Sequence, residues 1–96
     1  MIITKKILAD KISDYLNQKT SLSELVDWSE NSLMDAEFED ENFDLIKNII
    51  SRLGLADVKE FCLSTEDYEN YLKSLGKKDF INIWNYSLTI LKSNLF

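Results

Sequence analysis

Apolar residues recur along this chain at the three- and four-residue spacing of a helix facing a core. Leu8, Ile12, Tyr15 and Leu16, with Ile7 beside them, predict a first helix over about Ile3 to Leu16. The polar run "NQKTS" ends it. Leu22, Leu25, Val26, Leu33 and Ala36 form the next stripe, with Ser29 on the same side, and predict a helix from Leu22 to Ala36. Ser21 and Glu24 stand three apart at its start. That is the spacing of a capping box, in which the hydroxyl takes an orphan amide and the carboxylate reaches back to the cap.

A third helix is expected from Asp40 or Glu41 to Leu53, with Phe43, Ile46, Ile49, Ile50 and Leu53 facing inward. Acids in its first turn suit the positive end of the helix dipole. "RLGL" reads as its stop, with Gly54 left-handed and Leu55 folded back as in a Schellman motif. Asp57 is expected to cap a short turn, "VKEFCL", that points Val58, Phe61 and Cys62 inward. Ser64 with Asp67 opens "TEDYENYLKSL", whose stripe is Tyr68, Tyr71, Leu72 and Leu75 and whose stop is Gly76. Asp79 is placed to cap a last helix, "FINIWNYSLTILKSNLF"; its β-branched residues leave a short C-terminal strand as the rival reading. The pattern predicts an all-α fold, a compact bundle of about five short helices in one domain spanning residues 1–96.

Charge changes the picture. The 96 residues carry 17 acids against 11 bases, a net charge of −6. Between Lys19 and Lys47 stand nine acids and no base; the remainder of the chain has eight acids and eleven bases. Six of the ten residues from Asp35 to Asp44 are acidic: Asp35, Glu37, Glu39, Asp40, Glu41 and Asp44. Such a field repels phosphate and argues against nucleic acid as a direct ligand. It favours a basic protein partner. Charge runs also serve simply as solvated faces, but mutual repulsion among segregated acids costs stability, and a partner would account for it. Trp28 falls off the apolar stripe of its helix, on the flank shared by Glu24, Asn31 and Asp35. It reads either as a residue packed on a neighbouring helix or as an aromatic interface anchor. The expected partner-binding set is therefore Glu24, Trp28, Asp35, Glu37, Glu39, Asp40, Glu41 and Asp44.

Candidate chemistry is sparse. With no His in the chain, the commonest general base and metal ligand are missing. Asp35, Glu37 and Glu39 alternate as at the start of an EF-hand loop. That loop needs Gly at its sixth place and Glu at its twelfth, where this chain has Asp40 and Ile46. The lone Cys62 has no His to activate it and reads as a small core residue. Gly54 and Gly76 are the only glycines and form no phosphate loop. An enzyme is not expected, nor a cofactor or bound metal. No run of about 18 apolar residues would span a membrane, and "MIITKKILADKISDYL" lacks the features of a signal peptide. A cytoplasmic location is expected.

The run from Ser21 to Phe61 resembles short acidic helical proteins of bacteria in its "LVDW" helix, acidic turn and "LGLADV" stop. In size, charge and expected fold, the chain also resembles the immunity proteins of bacterial toxin systems, including those for contact-dependent growth inhibition. That resemblance is one of type and carries no residue over. It implies an inhibitor that occludes a basic nuclease toxin. The alternative is a regulatory or adaptor protein for another basic cellular protein.

Overall fold

In a computed structural model, which describes residues 2–76, four α-helices surround one apolar core: α1 (Lys5–Leu16), α2 (Leu22–Asp35), α3 (Phe43–Leu53) and α4 (Thr65–Ser74). The fold is all-α in class. The expected last helix, with its rival strand, lies outside the described residues.

The helix starts follow from local chemistry. The Ser21 hydroxyl accepts from the Glu24 amide at 3.1 Å, and Glu24 Oε1 accepts from the Ser21 amide at 3.1 Å. Ser64 and Asp67 repeat the device at α4, at 3.1 and 2.9 Å. At α1 the helix begins later than predicted. Thr4 takes the cap position and its hydroxyl accepts from the Ile7 amide at 3.2 Å. Ile3 is thereby released to an extended conformation.

That release produces a feature the periodicity did not announce. Ile2–Ile3 (β1) pairs in parallel with Glu37–Phe38 (β2), Ile2 opposite Glu37 and Ile3 opposite Phe38. The Glu39 amide then donates to the Ile3 carbonyl at 3.1 Å. Two-residue strands separated by 35 positions leave no alternation to read, and Ile3 continues the helical stripe as well as it fits a strand.

The core joins Ile3, Leu8 and Ile12 to Leu25, then to Ile46, Ile49, Ile50 and Leu53 of α3, and to Tyr68, Leu72 and Leu75. Each large side chain fully withdrawn from water contributes about 1.5–3 kcal/mol. The Tyr15 and Tyr68 rings meet at 5.1 Å and tie α1 to α4. Ser29 and Ser32 lie buried on α2, their hydroxyls donating to the Leu25 and Trp28 carbonyls one turn back.

Helix ends differ from expectation. The Schellman geometry occurs after α1: the Gln18 amide donates to the Tyr15 carbonyl and the Lys19 amide to the Asp14 carbonyl, with Gln18 left-handed at φ 62°. Gly54 is right-handed instead, at φ −64°. The chain leaves α3 through successive tight turns, Leu55 to Arg52, Ala56 to Leu53 and Val58 to Leu55. This path buries Ala56 and turns Leu55 outward. It also leaves Val58, Phe61 and Cys62 exposed, against the expectation that they face the core. Asp57 does not cap the short 3-10 turn at Lys59–Phe61; Val58 occupies that position without a side-chain bond. One turn of such a helix presents no continuous inward stripe. Gly76 does adopt the left-handed conformation, at φ 81°. No helix among the described residues is long and apolar enough to cross a membrane.

Candidate functional site: the acidic junction of α2 and α3

The acidic run occupies the end of α2, the strand β2 and the turn into α3. Asp35, Glu37, Asp40, Glu41 and Asp44 are all exposed. Among the described residues none of these five, nor Glu39, is in an ion pair. The turn at Asp40–Asn42 is a single 3-10 turn that holds Asp40 and Glu41 beside the start of α3. Asp44 lies in the first turn of α3, where its negative charge faces the positive end of the helix dipole.

Glu39 behaves differently from its neighbours. It is half-buried, and its Oε1 accepts from the Lys5 backbone amide and from Asn42 Nδ2, each at 3.1 Å. The Lys5 amide is one of the donors that the first turn of α1 leaves unmet. Glu39 therefore serves the fold as a cap supplied from across the chain. Glu24 is also set apart. It is engaged in the Ser21 capping box, which holds its carboxyl below the usual range chiefly through the Ser21 backbone hydrogen bond. Eleven residues of helix, about 16 Å of rise, separate it from Asp35.

Two depressions flank the last turns of α2 and share Ala36. The first, about 350 Å³, is lined by Ile3, Trp28, Asn31, Ser32, Asp35 and Ala36. Trp28 is half-buried and packs against the core, and Lys11 Nζ sits 5.5 Å from its ring centroid. The ring packs inward, as the first reading of Trp28 expected, and the residue also lines an open cleft with Asp35. The surroundings are less purely acidic than expected, since a lysine covers the ring.

The second depression, about 430 Å³, is lined by Leu33, Ala36, Glu37, Phe38, Asp40, Phe43 and Lys47. Leu33, Ala36, Phe38 and Phe43 give it an apolar part beside the charged Glu37, Asp40 and Lys47. Phe38 and Phe43 meet at 5.7 Å with planes tilted by 58°. Leu33 and Phe43, both expected inside, are 39% and 42% exposed. Helical angle alone places Leu33 on the buried side of α2, but here the helix end overhangs an open groove and no helix among the described residues covers it. Lys47 Nζ lies 5.7 Å from the Phe43 centroid. Phe38, Lys47 and the neighbouring Met34, which is 72% exposed, were not singled out in the sequence. The available signal was Met34 itself, an apolar residue off the stripe beside the acidic run.

In comparisons with known proteins, no family model, no curated protein and no solved structure matches the chain.

Proposed function

We propose that this chain is a cytoplasmic binding protein for a basic protein, most simply an immunity- or antitoxin-type inhibitor that occludes a basic nuclease toxin of bacteria. The observation that carries the reading is the set of five exposed acids, Asp35, Glu37, Asp40, Glu41 and Asp44, with no ion pair among the described residues. A nuclease holds Lys and Arg to bind phosphate. Carboxylates on a folded edge can engage those same groups without offering a bond to cleave. Unscreened opposite charges also raise association rates, from about 10⁵–10⁶ toward about 10⁸–10⁹ M⁻¹s⁻¹, which suits protection against a toxin lethal in small numbers. The protein acts by binding rather than turnover; a chain without histidine lacks the commonest group for proton transfer.

The test is capture of the product of an adjacent reading frame by the 96-residue chain, followed through a salt series and with Asp35, Glu37 and Asp40 reversed to Lys. Co-purification with a basic toxin, weakened by both treatments, is the expected result. Capture of basic housekeeping proteins alone would shift the reading to a regulatory or adaptor protein. Binding indifferent to salt and to the three reversals would overturn the acidic edge as the interface.

A further inference from the structure

The groove between the end of α2 and the start of α3 offers more than charge. A partner recognised through charge alone needs no apolar floor, yet Leu33, Phe38 and Phe43 line the same groove as Glu37 and Asp40. Neither Leu33 nor Phe43 belongs to the buried core cluster or to the side chains packed against it. They remain 39% and 42% exposed, although Phe43 meets the Phe38 ring at its edge of the groove. Interfaces draw most of their affinity from a few anchor residues held in well-packed pockets, ringed by contacts that exclude water. Here the floor would hold the anchor and the acids would form the rim.

Resting on the reading of the acidic edge as a protein-binding surface, we infer that this groove receives an amphipathic segment of the partner, apolar on the face that enters and studded with Lys or Arg on its flanks. Charge complementarity selects this occupant. Glu37 and Asp40 line the groove, and Asp35, Glu41 and Asp44 lie on the same junction. An acidic or neutral apolar segment would meet repulsion or gain no attraction there. Among the described residues Lys47 is the one base on the lining, and its contact with the Phe43 ring draws its charge over the aromatic face. Removing that charge should therefore tighten binding of a basic segment, the opposite of what a structural lysine would give.

The experiment uses the full chain and three synthetic peptides: a helix with leucines along one face and lysines elsewhere, the same peptide with every leucine replaced by serine, and its counterpart with glutamate for lysine. Affinities are read by fluorescence anisotropy. The leucine–lysine peptide should bind at least about tenfold more tightly than the serine form. Phe43→Ser and Leu33→Ser should erase that difference while leaving the weaker, salt-sensitive binding of the serine form. Lys47→Ala should improve binding of both lysine peptides. Equal binding of the two, each lost on reversing Glu37 and Asp40, would overturn the anchored groove and leave the acidic edge intact. Salt-insensitive binding, or preference for the glutamate peptide, would sink both. A photoreactive side chain at position 33 adds an independent readout. Adducts with the leucine–lysine peptide support the inference, whereas adducts with residues 77–96 of the same chain, or with a second copy, would show that the groove has another occupant.

Discussion

Glu39 Oε1 accepts a hydrogen bond from the Lys5 amide at 3.1 Å, across 34 positions of sequence. One carboxylate of the acidic run thus closes the first turn of α1, while its neighbours face water. Adjacent acids in one run serve different ends. Charge reversal separates them: Glu39→Lys should cost about 1.5–3 kcal/mol, the range for hydrogen bonds to charged groups, read as a lowered denaturation midpoint. Glu37→Lys should leave stability within about 0.5 kcal/mol and act on association alone.

Trp28 should divide its effect between the two properties. Full truncation of a buried Trp costs about 3–5 kcal/mol, but this ring is half-buried. Trp28→Ala should fall below that range, leaving a folded helical protein by circular dichroism with a lower melting temperature. If the cleft beside Asp35 forms part of the interface, the same variant should also raise the off-rate of a bound partner by more than Asn31→Ala does.

The two glycines should respond in opposite directions. A Cβ on Gly54 would meet the Ile50 carbonyl at 3.5 Å and Glu30 Cγ at 3.6 Å, ordinary contacts, and its backbone is already right-handed. Gly54→Ala should raise stability by about 0.4–1 kcal/mol, chiefly by restricting the unfolded chain. Gly76→Ala should lower it by about 1–2 kcal/mol, because φ 81° strains any Cβ. Denaturant midpoints of both variants check the pair.

What could be read in the sequence divides along the same line. Both capping boxes were legible because Ser21–Glu24 and Ser64–Asp67 complete themselves within one turn. The inward faces of α1, α3 and α4 were legible as periodicity. The handedness at Gly54 was not, since glycine permits both forms and the choice depends on where the following turns bury Ala56. Pairing of Ile3 with Phe38 was hidden for want of strand length. Of the candidate site, the acids were plain, and so was the shared flank of Trp28 and Asp35. The apolar floor between them and α3 was not, because Leu33 and Phe43 satisfy the helical stripes as well as core residues do and only the helix ends reveal their exposure.

Alkaline pH should destabilise the fold. Burial, with the neighbouring Tyr15, pushes the Tyr68 phenol far above its ordinary range, and burial raises Tyr71 as well. Below about pH 10 these phenols are neutral in both states and contribute no pH dependence. Above it the unfolded chain loses protons that the folded one keeps. Stability must then fall with rising pH, by up to about 1.4 kcal/mol per unit for each fully shifted group. Tyr68→Phe should flatten that decline in denaturant titrations between neutral and alkaline pH.

The parallel pairing of Ile2–Ile3 with Glu37–Phe38 also bears on the order in which the molecule assembles. Joining those segments closes a long loop for two residues of ladder, an entropic outlay that the contacts of α2 with α3, neighbours in sequence, do not face. The helical hairpin can condense first, leaving the strand pair to zip afterwards onto a nearly finished surface. Ile3→Val should accordingly accelerate unfolding while leaving the refolding rate almost unchanged, and Ile50→Val should slow refolding. The acidic junction would then be the last part of the protein to lock and the first to let go.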